Sequence, residues 1–335
     1  MTKKIKLGVI GCSRIAKNST IPAIIKSSYA ELEIVGSRSE KKAKDYAREF
    51  NCKKFGSYET VLNDEKVDAI YISTPVGLHE EWVIKSAKVG KHIICEKSST
   101  DSYQSALTMI DECRKNKVRL MEGFMFRFHP SHSKVLEIIK KGKLGNTFAF
   151  YSRYGLPSVP KDDIRFQKNL GGGALNDTGC YPICASRILF DKEPISISCE
   201  LVMDKKKQVD TRVLLTLKFS EEQYSQAIVG YGLHYQSVYC LWGTKGYLRL
   251  SRAYNVPPDM PVSLIINSET KNENLSISAA DHFKLMIDGF CRELLNKKSC
   301  NFNFENDLVN QAKVMESARL SNKEKRWVEL KEINS

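Results

Sequence analysis

Roughly the first 120 residues constrain the fold most, because short β-branched runs alternate there with longer amphipathic stretches. That alternation is the pattern of βαβ units feeding a parallel sheet. Candidate strands are Ile5–Ile10, Leu32–Ser37, Asp68–Ser73, His92–Cys95 and Val118–Met121. Ser39 caps a helix expected from Glu40 to Phe50, with Ala43, Tyr46, Ala47 and Phe50 on one stripe. Ser57 precedes a short helix over Tyr58–Leu62, and Glu80–Val89 forms another that Gly90 ends. Asp101 or Ser102 starts a further helix running to about Asn116.

The first strand delivers Gly11-Cys12-Ser13-Arg14-Ile15-Ala16, which places Gly11, Ser13 and Ala16 at the three small positions of a G-x-G-x-x-G/A turn. There the first residue turns tightly, the second admits a pyrophosphate and the third lets helix pack on strand. Serine at the second position departs from glycine, but it is small and its hydroxyl can itself bond a phosphate oxygen. The second strand ends in Ser37-Arg38-Ser39, without the acid that usually accepts from a ribose 2′-hydroxyl. Ser37, Arg38 and Lys42 offer a 2′-phosphate charge-assisted bonds instead, so the expected cofactor is NADP(H). Ligands gather at the carboxyl ends of parallel strands, which adds Thr74, Pro75, Glu96 and Lys97 to the cofactor side. His79 reads equally as a cofactor contact or as the start of the next helix.

After about Glu122 the texture changes. A helix over Ser131–Lys141 is followed by strand-like runs: Thr147–Tyr154, Ile195–Met203, Val209–Phe219, Tyr224–Tyr231, Gln236–Trp242 and Tyr247–Ser251. Hairpin-length turns separate many of them, which implies an antiparallel or mixed sheet. Helices over Ala280–Asn296 and Glu305–Ser321 close the chain. The expectation is an α/β chain of two domains. An N-terminal Rossmann domain occupies 1–122, and an α+β domain with a large open, mostly antiparallel sheet occupies 123–335.

Composition removes several function classes. No apolar run reaches the ~18 residues that span a bilayer, and the N-terminus lacks a signal-peptide core, so a cytoplasmic, membrane-free protein is expected. The ten cysteines are scattered with no C-x-x-C pair, which fits buried reduced thiols rather than a zinc or redox motif. His129-Pro130-Ser131-His132 resembles a metal pair only superficially, because no carboxylate sits at ligand spacing; no metal is expected. The net charge of +13 is spread over dispersed lysines, which argues against nucleic-acid binding.

The most informative segment is Gly171-Gly172-Gly173-Ala174-Leu175-Asn176-Asp177-Thr178-Gly179-Cys180-Tyr181-Pro182. Three glycines let backbone crowd a ligand, and Asp177 and Tyr181, four apart, would share a face in the first turn of a helix. A packed tyrosine beside a purely structural glycine turn fits the same residues.

Together with the N-terminal turn, Glu96-Lys97 after a strand, and Phe126-Arg127-Phe128-His129-Pro130, this segment resembles the glucose–fructose oxidoreductase/inositol dehydrogenase (Gfo/Idh/MocA) family over essentially the whole chain. Within it, Ile164-Arg165-Phe166-Gln167, Tyr181-Pro182, and Leu241–Gly246 through Arg252-Ala253-Tyr254 are similar to NDP-hexose 3-ketoreductases. Aldose and dihydrodiol dehydrogenases share several of these features. The resemblance implies that Lys97 is the active-site lysine and Tyr181 the general acid, with Asp177 orienting the substrate or the lysine. It also implies that Arg165 contacts a substrate hydroxyl or phosphate and Gln167 a sugar hydroxyl. A phenol near pKa ~10 donates reluctantly at neutral pH, and an adjacent ammonium would favour its phenolate. The family's usual Glu-Lys-Pro is Glu96-Lys97-Ser98 here. The implied activity is NADPH-dependent reduction of a nucleotide-linked keto-sugar. The rivals are an NADP-dependent aldose or dihydrodiol dehydrogenase and a dinucleotide-binding sensor without turnover. Val213–Leu217 and Gln226–Val229 leave no clean polar sheet face, so a homodimer or homotetramer is expected.

Overall fold

The β-branched runs of the N-terminal region pair side by side in this computed structural model, which describes residues 3–269, 271–297 and 300–333. Strands β1 (Ile5–Ile10), β2 (Ala30–Gly36), β3 (Lys54–Gly56), β4 (Ala69–Ile72), β5 (His92–Cys95) and β6 (Leu120–Glu122) form one sheet. Its order is β3-β2-β1-β4-β5-β6 and every pair is parallel, the doubly wound arrangement. All four residues of β4 are buried, as befits a strand covered on both faces.

Residues 14–26 are helical, with a π-turn over Ala16–Thr20 and α geometry in α1 (Ile21–Lys26). Then come α2 (Glu40–Glu49), α3 (Tyr58–Leu62), α4 (His79–Lys88) and α5 (Tyr103–Lys115). Ser39, Ser57 and Ser102 cap α2, α3 and α5 through their hydroxyls, the roles their positions before apolar stripes suggested.

The remainder holds α6 (Pro130–Lys140), β7 (Thr147–Leu156), α7 (Cys180–Phe190), β8 (Ser196–Asp204), β9 (Val209–Ser220), β10 (Gln223–Tyr231), β11 (Gln236–Gly243) and β12 (Gly246–Ser251). It ends with β13 (Val262–Ser268), β14 (Asn272–Ile277), α8 (His282–Leu294), α9 (Phe304–Glu324) and β15 (Val328–Glu329). These strands make a nine-stranded sheet, β14-β13-β12-β11-β7-β10-β9-β8-β15, antiparallel except where β7 runs parallel to β10.

Two compact units result, residues 1–125 with 283–309 and residues 126–282 with 310–335. A single boundary at 122 is the sequence expectation; in the structure 283–309 instead joins the first unit. There Ser27 donates to Asp288 at 2.5 Å and Arg119 pairs with Glu305 at 2.8 Å. Elements β3, α7, β13, β14 and β15 were not anticipated. Helix α7 is buried almost all round and so lacks an amphipathic stripe, and β14 is a polar edge strand.

Candidate active site

In the first unit, β1 ends where Gly11 adopts φ +102°, a backbone state that favours glycine, and a Cβ there would lie 3.0 Å from the Ser73 carbonyl. The loop is stitched to the end of β4: Ser13 donates to the Ser73 hydroxyl at 3.0 Å, and Ser73 donates to the Gly11 carbonyl at 2.6 Å. Ser13 also accepts from the Ala16 N–H at 3.1 Å, so its hydroxyl caps the helix rather than standing free for a phosphate. Ala16 is fully buried against the sheet, while Arg14 is exposed and Ile15 half-buried.

The end of β2 gathers the expected cationic corner. Arg38 lies beside the Tyr58 phenol, and the Lys42 ammonium sits 6.0 Å from the Tyr46 ring. Among the described residues no carboxylate lies within ion-pair reach of either cation. Burial pushes the Cys12 thiol up to about 11, with Lys42 and the Ser37 hydroxyl opposing, so Cys12 is a neutral filler of this corner. Ser37 accepts from the Ser39 N–H at 3.2 Å.

At the end of β4 the Thr74 hydroxyl is buried without a hydrogen-bond partner, and Pro75 follows it. His79, which begins α4, has Nε2 2.7 Å from the Thr74 carbonyl and Nδ1 3.0 and 3.2 Å from those of Ser98 and Ser99. Both ring nitrogens face backbone carbonyls, the single N–H of the neutral imidazole can donate on one side only, and His79 packs between two strand-end loops. Glu96 is likewise engaged: Tyr71 donates to it at 2.5 Å and Thr20 donates to Tyr71 at 2.9 Å. Burial raises the Glu96 carboxyl, with Tyr71 and Lys97 opposing. Lys97 follows, half-buried, and its peptide bond to Ser98 is cis. Tyr71 and Thr20 escaped the sequence reading because nothing local to either marks the partner it meets.

The geometry suits a dinucleotide: a glycine where a Cβ would crowd backbone, two cations without acid partners, and an orphaned hydroxyl at the strand end.

In the second unit, 3₁₀ turns over Ile164–Phe166 and Lys168–Leu170 fold back against the glycine run. Gly172 and Gly173 donate to the Gln167 and Arg165 carbonyls, each at 3.0 Å, and a Cβ on Gly172 would lie 2.6 Å from the Arg165 oxygen. Gln167 itself donates to the Asp162 carbonyl at 3.3 Å. Arg165 donates to Asp177 at 2.6 Å and to Asp163 at 3.1 Å. Burial alone would lower the Arg165 pKa, but the two carboxylates outweigh it and hold the guanidinium charged. With two acids beside it, Arg165 orients Asp177 better than it attracts another anion. The buried Tyr231 phenol faces the same pair, closest to Asp177, and packs its ring 5.8 Å from Phe166.

The segment before α7 is a π-turn, Leu175–Gly179, where α geometry would have put Asp177 and Tyr181 on one face. Asp177 is directed to Arg165, while Tyr181, 4% exposed, enters an aromatic wall. Its ring lies 5.7 Å from Phe126, 5.2 Å from Tyr154 and 5.3 Å from Tyr254. The His129/His132 pair serves structure: His129 caps α6 by accepting from the Ser131 N–H, and His132 sits between the Tyr239 hydroxyl and the Ala253 carbonyl. Pro130 is the first residue of α6, which puts the two imidazoles on different tasks. Among the described residues no helix is long and apolar enough to cross a membrane.

Residues 5–124 match the family model of the Gfo/Idh/MocA oxidoreductases with an NAD-binding Rossmann fold, and 132–249 match that family's C-terminal domain. A dTDP-3,4-didehydro-2,6-dideoxy-α-D-glucose 3-reductase of Saccharopolyspora spinosa is 30% identical over 298 residues, 88% of this chain and 89% of that one. A D-xylose 1-dehydrogenase (NADP⁺) of Haloferax volcanii is 31% identical over 288 residues, 85% and 87% of the two chains. The crystal structure of a 3-ketoreductase from Actinomadura kijaniata, in complex with NADP and TDP-benzene, superposes with a TM-score of 0.91 at 28% identity, covering 95% of this chain and 98% of that one. With both halves matched in order and relatives aligned over most of their length, the chain belongs to the Gfo/Idh/MocA family of oxidoreductases.

Proposed function

We propose that this oxidoreductase uses NADPH to reduce a keto-sugar carried on a nucleotide, with Tyr181 as proton donor. The observation that carries the reading is Tyr181, held nearly sealed among Phe126, Tyr154 and Tyr254 in the same unit as the Arg165–Asp177 pair. NADPH supplies a hydride from nicotinamide C4 to the carbonyl carbon. The carbonyl oxygen then carries alkoxide charge and takes the proton of the Tyr181 hydroxyl, giving a secondary alcohol. Lys97, at the end of β5, is the ammonium that would stabilise the tyrosinate left behind. Asp177, fixed by Arg165, would accept from a sugar hydroxyl, with Gln167 and the buried Tyr231 phenol as further polar groups of that unit.

A nucleotide-linked substrate is supported by Arg252. Its guanidinium stacks 4.6 Å from the Tyr235 ring, whose hydroxyl is buried without a partner, and it has no carboxylate partner among the described residues. Two residues on, Tyr254 meets the Tyr181 ring, so the segment that carries this unneutralised cation also packs on the proposed donor, and such a cation would suit a substrate diphosphate. The rival, an aldose or dihydrodiol dehydrogenase, needs no such anion site. Cytoplasmic residence fits ten free thiols, and a homodimer or homotetramer fits the partly apolar open sheet face.

The test is a panel of a TDP-linked 3-keto-hexose, free aldoses and trans-dihydrodiols, assayed with NADP(H) and NAD(H). Turnover with the TDP-linked ketone and NADPH is expected, and Tyr181→Phe should lose roughly 10²–10⁴-fold in kcat while still binding NADPH. Preference for free sugars would favour the rival, NADPH binding without any turnover would favour the sensor, and a Tyr181→Phe enzyme near wild type would remove Tyr181 from the chemistry.

A further inference from the structure

A π-turn is rarer and less favourable than an α-turn, and it sets the residues after it at a different angle around the helix axis. In the second unit such a turn, Leu175–Gly179, stands directly ahead of Tyr181, so the direction of that side chain depends on the turn staying wide. Helix starts leave N–H groups without intrahelical acceptors, and the groups that satisfy them shape the first turn.

Here the acceptor comes from another element. Asp210, on β9, takes the Leu175 N–H at 2.6 Å, and the Ala174 N–H also steadies its charge. The carboxylate approaches so closely that a Cβ on Gly173 would lie 2.3 Å from its Oδ1, and Gly173 itself sits at φ +123°. Glycine at 173 is therefore the condition for Asp210 to reach the turn. The neighbours of Leu175 are tied as well: Asn176 donates to the Gly171 carbonyl at 3.0 Å and accepts from Arg319 at 2.6 Å, and Thr178 donates to the Ala174 carbonyl at 2.9 Å. The Leu175 N–H, at the start of this helix, is held from outside the segment by Asp210.

We infer that Asp210 is a positioning residue, which anchors the helix start through the Ala174 and Leu175 N–H groups, beside Gly173, and thereby aims Tyr181. The inference rests on Tyr181 being the proton donor. Without the carboxylate, the Ala174 and Leu175 N–H groups at the helix start lose their acceptor, and the first turns that carry Tyr181 can shift, which re-aims the phenol.

The experiment is a double-mutant cycle of Asp210→Ala and Tyr181→Phe, with Asp210→Asn and Gly173→Ala beside it. Each variant is assayed with the TDP-linked 3-keto-hexose and NADPH at a temperature where circular dichroism shows it folded. Misplacement of a reacting group should lower kcat of Asp210→Ala by roughly 10²-fold. Its Kd for NADPH should stay within about twofold, because the loss is one of transition-state alignment. Asp210→Asn, whose amide oxygen still accepts from Leu175, should keep most activity, and Gly173→Ala should resemble Asp210→Ala. In the Tyr181→Phe background, Asp210→Ala should add little, as expected of residues acting through one another. Additive losses, or equal losses in the Asn and Ala variants, overturn the inference. If Tyr181→Phe alone retains turnover, the proton-donor reading fails first and is identified as such. Should Asp210→Ala not fold, Asp210→Asn and Gly173→Ala carry the same comparison.

Discussion

Arg38 and Lys42 hold the corner where β2 ends, and the absence of an acid there was readable from four consecutive residues. A cation that loses no carboxylate partner on meeting a phosphate gives its full charge-assisted bond to the ligand. Arg38→Ala should therefore raise the KM for NADPH about tenfold or more while changing the NADH constant little. Steady-state kinetics with both cofactors checks this, and an equal rise for both would point to a packing role. Other single residues were less legible. Ser13 caps its own helix through its hydroxyl, and His79 lies against three backbone carbonyls, roles that no neighbouring residue marks. Tyr71, Thr20 and Asp210 each act on a partner far away in the chain, so no local pattern could reveal them.

At the scale of elements, both π-turns among the described residues follow glycine-containing loops, Ala16–Thr20 after Gly11 and Leu175–Gly179 after Gly171–Gly173. Wide turns cluster at functional sites because they re-aim side chains that an α-helix would direct elsewhere. Period analysis assumes regular helix, which is why Asp177 and Tyr181 were expected on one face. Buried histidines recur here: His132 joins α6 to the chain just after β12 and to Tyr239, and the buried His282 is the first residue of α8. Burial depresses both imidazoles to about 3, with other histidines adding repulsion. Their pKa values are lower in the folded than in the unfolded state, so their stabilising effect is complete above about pH 6.5 and is lost as pH falls below it. At pH 5 each should cost about 2 kcal/mol of stability, partly offset by the raised carboxyls of Glu96 and Asp210, which act in the opposite direction. Denaturant midpoints measured from pH 7 to 5 should fall, and His132→Gln should flatten the slope; an unchanged midpoint would contradict the assignment.

At the scale of the molecule, α7 packs on β7 of the nine-stranded sheet, while Ser321 and Asn322 of α9 accept the outward N–H groups of Cys199 and Leu201 along β8. The opposite face of that sheet exposes Leu214 at 45%, Ile228 at 54% and Trp242 at 53%. Apolar side chains grouped on a sheet face without helices call for a partner, and a second copy of the chain is the simplest one. Ile228→Glu with Leu214→Glu should convert the proposed oligomer to monomers in light scattering. Monomeric wild-type protein would remove the proposal.

The sequence by itself determined the doubly wound first unit, its glycine turn, the cationic end of β2 and most strands of the second sheet. Those features rest on local periodicity, caps and turns, which neighbouring residues specify among themselves. Only the tertiary structure decided that 283–309 belongs with the first unit, that Glu96 and His79 are already engaged, and that a wide turn held by Asp210 precedes Tyr181. Those outcomes depend on hydrogen bonds between residues remote in sequence, whose pairing exists only once the chain has packed.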